Sequence, residues 1–285
     1  LGSTFKIFTV AQALELGLVD PKTKINTKGP IRIGGHKISD YRSNGPELPV
    51  WEIITESSNL GTARIAKMIG PEKQREFLSS LGFSKPTTIE MIEANGGKPL
   101  LPKRWNELET MTISYGHGLS ATPLHLATGY ATLANGGRLI NPTLLQEVKP
   151  VLGPRVISKE VAENSLAMLR GVVTGGTASL ADVDGYFVGG KTGTADKPSS
   201  QGGYDKEKNI TNFASIFPIN EPKYVLVVTL DEAQDTSGPE PKRTAGWTAV
   251  PVSAEIIARV APLLGLRPKF DNHSSIGITL SNWQE

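Results

Sequence analysis

The chain has no cysteine among its 285 residues. That excludes a disulfide framework and any thiolate zinc site, and it is compatible with an oxidising compartment. An excess of charge of one sign is also missing: 30 basic against 28 acidic residues leave a net charge of +2. No nucleic-acid partner is expected, because such binding needs a clustered basic face. Long hydrophobic runs are lacking too. The longest stretch without Asp, Glu, Lys or Arg, Thr110 to Gly137, is full of Thr, Ser, Gly and Asn and carries two histidines, so it does not read as a membrane span. No start methionine, basic n-region or signal-like stretch opens the chain. None of His36, His117, His125 and His273 falls at a metal-ligand spacing. Gly175-Gly176-Thr177-Ala178 reads as a turn, since no P-loop lysine follows it. No metal and no cofactor are expected.

What is present suits a globular domain. With 38% hydrophobic and 20% charged residues, the chain can bury a sizeable core. Residues 3–17 read as a helix, with Phe5, Phe8, Ala11, Leu14 and Leu18 near helical spacing and Gly17 as its stop. Residues 24–40 read as a small hairpin about Gly34-Gly35. From Pro49 to Leu81 the pattern is helical, punctuated by Gly70-Pro71, and 83–105 is loop-like. Helices are expected at 122–134, opened by Thr122-Pro123, at about 158–173, and at 248–264. Strands are expected at Tyr186 to Thr194, Thr211 to Pro218 and Tyr224 to Leu230, the last two joined by Asn220-Glu221-Pro222. Segments 199–209 and 233–244 read as polar loops. Strands late in the chain with helices on either side predict an α+β fold, an antiparallel sheet flanked by helices with a mostly helical subdomain.

Three short motifs carry chemistry. Ser3-Thr4-Phe5-Lys6 places Lys6 three residues after Ser3, on the same helical face, so the amine is expected to reach the Ser3 hydroxyl. A lysine buried beside a second cation loses its proton near neutral pH and becomes a base. Alone, this pattern also describes a capping serine followed by a surface lysine. Ser57-Ser58-Asn59 offers a hydroxyl for proton transfer and a carboxamide that both donates and accepts, although it also reads as a helix cap before Leu60. Lys191-Thr192-Gly193-Thr194 follows Gly189-Gly190. On a strand, Lys191 and Gly193 face one way and Thr192 and Thr194 the other, and glycine lets another backbone approach.

Gly-Ser-Thr-Phe-Lys, Ser-Ser-Asn-Leu-Gly and Gly-Gly-Lys-Thr-Gly-Thr-Ala, in this order, resemble the motifs of the class B penicillin-binding proteins. Tyr115-Gly116-His117-Gly118 ahead of Thr122-Pro123-Leu124 is similar to that family as well, and the details resemble most the FtsI-type septal peptidoglycan D,D-transpeptidases. The resemblance covers roughly residues 1–265, taken as a transpeptidase catalytic domain, and leaves 266–285 as a tail of unknown role. It implies a penicillin-binding/β-lactamase-like transpeptidase fold and a serine acyl-enzyme on Ser3. Lys6 would be the base, Ser57 and Lys191 the proton route to the leaving D-alanine, and Asn59 the residue that holds the substrate amide and orients Lys6. Thr192, Gly193 and Thr194 would bind substrate, and the backbone N–H groups of Ser3 and Thr194 would form an oxyanion hole.

It also implies peptidoglycan stem peptides as substrate, β-lactams as covalent inhibitors, and an FtsW-type polymerase and division proteins as partners. The location implied is the periplasmic face of the inner membrane, through an N-terminal anchor outside this chain. In that family, sheet strands and a pedestal precede the serine helix. Here Ser3 is almost the first residue, so a fragment lacking the N-terminal strands, and poorly active alone, is expected. Rival readings are a β-lactamase or β-lactam sensor, a D,D-carboxypeptidase, and a non-catalytic scaffold of the same fold. Asn59 and the intact motif residues weigh against the first and the last.

Overall fold

The apolar residues after Ser3 lie on a first helix that is enclosed all round, since every residue from Lys6 to Ala13 is buried. The computed structural model describes residues 1–146, 151–199, 203–270 and 283. A 3-10 turn, Gly2–Phe5, runs directly into α1 (Lys6–Glu15). Gly17 and Leu18 then donate their N–H groups to Leu14 and Ala13, which closes the helix where the sequence suggested. Phe8 sits at the centre of an aromatic cluster. Its ring centroid is 5.3 Å from Phe5, 5.4 Å from Phe83 and 5.6 Å from Tyr130. The buried Tyr130 hydroxyl donates to Thr4 O at 2.8 Å, so the cluster also holds the backbone of the first turn.

Short elements follow. β1 (Lys24–Asn26), β2 (Ile31–Ile33), β3 (His36–Ile38) and β4 (Glu47–Pro49) form two ribbons rather than the one hairpin expected over 24–40. β2 pairs with β3 about Gly34-Gly35, whereas β1 pairs with β4. Gly29-Pro30 interrupts the run between β1 and β2, where proline has no N–H to offer a ladder. The helical stretch from Pro49 divides into α2 (Val50–Thr55), α3 (Asn59–Ile69) and α4 (Pro71–Ser80). α5 (Glu107–Ile113) was not foreseen, although Asn106 and Glu109 form a capping box. α6 (Pro123–Ala134) starts on its Thr122 cap as expected. β5 (Arg138–Ile140) and β6 (Leu152–Arg155) form a small ribbon, also not foreseen, and α7 (Lys159–Thr174) follows.

The principal sheet has three antiparallel strands, β7 (Gly189–Pro198), β8 (Tyr204–Phe217) and β9 (Tyr224–Asp231), in that spatial order. α7 packs on β7, and α8 (Ala249–Leu263) packs on β8 and β9. This is the α+β arrangement expected. One expectation fails at the β7–β8 connection. The polar segment 199–209 reads as loop in the sequence, yet the ladder reaches Pro198 opposite Tyr204. The neighbouring residues Glu207 and Lys208 are both exposed, so this arm shows solvent on both faces and carries no apolar alternation to betray it. Residues 200–202 and His273 lie outside the described residues. Among the described residues no helix is long and apolar enough to cross a membrane.

Replacing Phe8 by Ala should remove the centre of the aromatic cluster. The expected loss is about 3–5 kcal/mol of unfolding free energy, read as a lower denaturant midpoint at unchanged slope. A loss under about 1 kcal/mol would mean that this cluster does not hold the first helix in place.

Candidate active site

The site is built where α2 ends. Ser58 N–H donates to Ile53 O at 3.0 Å and Ser57 N–H to Ile54 O at 3.3 Å, the paired closure usual where glycine takes the left-handed position. Here that position is Ser57, with φ 60°. A non-glycine residue there is strained by about 1–2 kcal/mol. Ser58 then caps α3, accepting from Gly61 N–H at 2.9 Å. The capping reading of this motif is therefore correct for Ser58, while Ser57 faces the site.

On the opposite wall, the 3-10 turn brings Ser3 and Lys6 to the same side, because positions three apart eclipse in that geometry. Ser3 is half-buried. Two glycines let its turn be gripped. A Cβ on Gly116 would lie 2.0 Å from Gly2 O, and one on Gly193 would lie 2.6 Å from Leu1 O. The first turn is thus pressed between the Tyr115–Gly118 loop and β7, with Gly2 N–H donating to Gly116 O at 3.3 Å.

Lys6 and Lys191 are both fully buried. Lys6 Nζ donates to Ser57 O and to Ser57 Oγ, the latter at 3.1 Å. Lys191 Nζ donates to the same Ser57 Oγ at 2.9 Å. One hydroxyl therefore joins two ammonium groups. Burial pushes the Lys6 amine well below the usual lysine range; the Lys191 charge lowers it further, and Asp40 partly offsets both. Burial brings Lys191 down to about 7, with Glu56 opposing.

Two sequence expectations are revised here. Both Lys6 hydrogen bonds go to Ser57 rather than to Ser3. Asn59, expected to orient Lys6, instead donates its side-chain N–H to Ser39 O at 3.0 Å, and its place as first residue of α3 turns it toward that loop.

The remaining strand residues lie alongside. Thr192 Oγ1 is 2.8 Å from Thr177 Oγ1 and receives a longer contact, 3.4 Å, from Lys191 Nζ. Thr194 Oγ1 accepts from Ala245 N–H at 3.0 Å, which leaves its own proton free to donate. Gly193 lies against Leu1 and Thr4. Sequence reasoning missed Thr177, a lone threonine in a turn, and Asp40, which lies in no motif. It also placed His117 among structural or surface histidines. The ring is half-buried beside Tyr115 and Tyr204, with its Nδ1 buried and unpartnered. His125, by contrast, is structural, held between Thr122 Oγ1 and Lys85 O. Trp247, left open by the sequence, is partly exposed beneath the Lys242 ammonium, 3.3 Å from its ring centroid.

A buried amine, a second buried amine and a shared hydroxyl beside a half-buried serine can activate that serine and move its proton. Comparisons with known proteins show the family. The family model of the penicillin binding protein transpeptidase domain matches residues 1–257. The chain is 34% identical over 281 residues to the probable peptidoglycan D,D-transpeptidase FtsI of Caulobacter vibrioides, covering 94% of this chain and 47% of that protein. It is 32% identical over 269 residues to the peptidoglycan D,D-transpeptidase FtsI of Escherichia coli, covering 94% and 44%. The chain thus spans about half the length of the curated relatives it matches. The apo structure of the TP domain of penicillin-binding protein 3 from Burkholderia pseudomallei superimposes with a TM-score of 0.85 at 34% identity, over 95% of this chain and 81% of that one. Penicillin-binding protein 3 of Mycobacterium tuberculosis, complexed with aztreonam, gives 0.80 at 27% identity, over 94% and 63%.

Lys191 binds fewer protons folded than unfolded between about pH 7 and its ordinary 10.5, so its contribution to stability rises with pH across that window and is lost as pH falls to about 7. The difference in unfolding free energy between the wild type and Lys191→Met should therefore move in favour of the wild type from about pH 7 to about pH 10. Denaturant titrations at several pH values would read it, and a flat difference would contradict a buried, depressed amine.

Proposed function

Because this chain belongs to the penicillin-binding protein transpeptidase family, we propose that it is the catalytic domain, over residues 1–265, of a serine D,D-transpeptidase that cross-links peptidoglycan stem peptides. The observation that carries this reading is the meeting of Lys6 and Lys191 at Ser57 Oγ, at 3.1 and 2.9 Å. In the sequence of steps, neutral Lys6 takes the Ser3 proton, and Ser3 Oγ attacks the carbonyl between the two terminal D-alanines. The backbone N–H groups of Ser3 and Thr194 receive the oxyanion. The close seat of Gly2 against the Thr194 backbone, where an added Cβ would lie 3.2 Å from Thr194 N, supports that pairing.

As the tetrahedral intermediate collapses, the C–N bond breaks and the leaving D-alanine amine takes a proton from Ser57, which regains one from the lysine pair. The Lys191 charge and the Thr192 and Thr194 hydroxyls suit the terminal carboxylate, with Gly193 allowing the substrate backbone to lie along β7. Asn59 holds the substrate amide through its free carbonyl oxygen. An acceptor amine from a second stem then attacks the acyl-enzyme, releasing Ser3 and closing the cross-link. β-Lactams acylate the same serine, in line with the aztreonam complex of the Mycobacterium tuberculosis relative.

The FtsI names of the relatives favour a septal role, with an FtsW-type polymerase and division proteins as partners at the periplasmic face of the inner membrane. In this reading residues 266–285 are a C-terminal segment of unassigned role, although Leu266 packs in the core and Lys269 N–H donates to Gly185 O at 2.9 Å.

Benzylpenicillin added to the intact protein should leave one adduct, seen by intact mass and mapped to the peptide holding Ser3. Ser3→Ala should carry none, and Lys6→Met should acylate at least about 100-fold more slowly. An adduct that persists in Ser3→Ala would defeat the proposal.

A further inference from the structure

We propose that Asp40 is a positioning residue for this site: its carboxylate holds the Ser57–Asn59 turn so that Ser57 stays between the two lysines, and it supplies the fixed negative charge facing Lys6. This rests on the acyl-transfer reading above and extends it to a residue outside all three motifs.

The geometry is specific. Asp40 lies just beyond β3, and its two oxygens serve different groups. Oδ2 accepts from Ser58 Oγ at 2.7 Å, and Oδ1 accepts from Leu60 N–H at 2.9 Å. The residue before it, Ser39, accepts from Asn59 Nδ2 at 3.0 Å through its carbonyl. Residues 39–40 thus bind all three residues that follow Ser57. Leu60 N–H is one of the unpaired donors at the start of α3, where a carboxylate also meets the positive end of the helix dipole.

The need for such an anchor lies one residue upstream. Ser57 has φ 60°, a conformation that persists in a non-glycine residue only when its surroundings over-determine it. The α2 closure fixes it from one side, through Ser57 and Ser58 N–H. Asp40 fixes it from the other, through the Ser58 hydroxyl and the first turn of α3. If that hold is released, Ser57 O and Oγ are free to leave Lys6 and Lys191.

The charge has a second effect. Lys6 is faced by Lys191 from β7, by Asp40 from the loop after β3, and more distantly by His117 from the loop after α5. Of these, Asp40 alone favours the protonated amine of Lys6. Arg64, on α3, faces Asp40 as well and feels the same charge.

The test uses the intact protein and the second-order rate of Ser3 acylation by benzylpenicillin from about pH 5.5 to about pH 10. Asp40→Asn keeps the shape and one acceptor oxygen but removes the charge. The limb on which acylation rises as Lys6 loses its proton should move to lower pH by about half a unit or more. Asp40→Ala removes the hold on the turn as well, and should slow acylation at least about 10-fold at every pH, with Asp40→Glu recovering part of the loss. A limb in Asp40→Asn that coincides with that of the wild type overturns the electrostatic part, and a wild-type rate in a folded Asp40→Ala overturns the positioning part. Should Asp40→Ala not fold, a wild-type rate and profile in Asp40→Asn still overturn the inference. Failure of the wild type itself to acylate on Ser3 would instead defeat the reading of the site on which this one rests.

Discussion

Two ammonium groups cannot both keep their protons when each is stripped of water and they share one hydroxyl. That contact, Lys6 and Lys191 on Ser57 Oγ, sets the demands on the rest of the molecule. Burying a cation in low dielectric is unfavourable by several kcal/mol even after relaxation, so the lysines lose protons more readily than lysines in water. The resulting amine can act as a base near neutral pH without a histidine or a metal-bound water taking that part. The arrangement works only if three segments distant in the chain are held within hydrogen-bond range of each other.

The scaffold meets that demand mostly with backbone. The first turn is pressed between Gly116 and Gly193, where any side chain would collide with main-chain atoms. Tyr130 reaches from α6 to the carbonyl of Thr4, and the aromatic rings around Phe8 make the attachment apolar and dense. On the other side of Lys6, the end of one helix and the start of the next meet at Ser57 and Ser58, and the carboxylate of Asp40 ties that junction to the loop after β3. Dense packing on one side and a hydrogen-bonded junction on the other hold Lys6, Ser57 and Lys191 together.

Much of this was legible in residue order, and the exceptions have physical causes. The three motifs, the late antiparallel sheet and the helices at α1, α6, α7 and α8 follow from spacing, apolar content and capping residues, although α1 and α7 bury long unbroken runs rather than a single face. α5 carried a readable start, Asn106 with Glu109, but its seven residues are too few for a helical period to stand out. The outer part of the β7–β8 arm has solvent on both sides and so lacks the alternation by which strands are recognised. Asp40 was invisible for another reason. A carboxylate that binds backbone and hydroxyl groups eighteen and twenty residues away has no local pattern, and only the folded loop brings them together. The contact of Lys6 with Ser57 was not legible, because helical spacing says which residues share a face and not which distant hydroxyl the amine will bind.

The pairing of β7 with β8 sets Lys191 opposite Ala214 and Gly193 opposite Asn212. A strand has a repeat of two, so displacement by a single position would turn Lys191 away from Ser57 and offer Thr192 in its place. A slip of one position in this ladder thus loses the amine contact. Whether the lysine meets its hydroxyl is therefore decided by the alignment of a single strand pair.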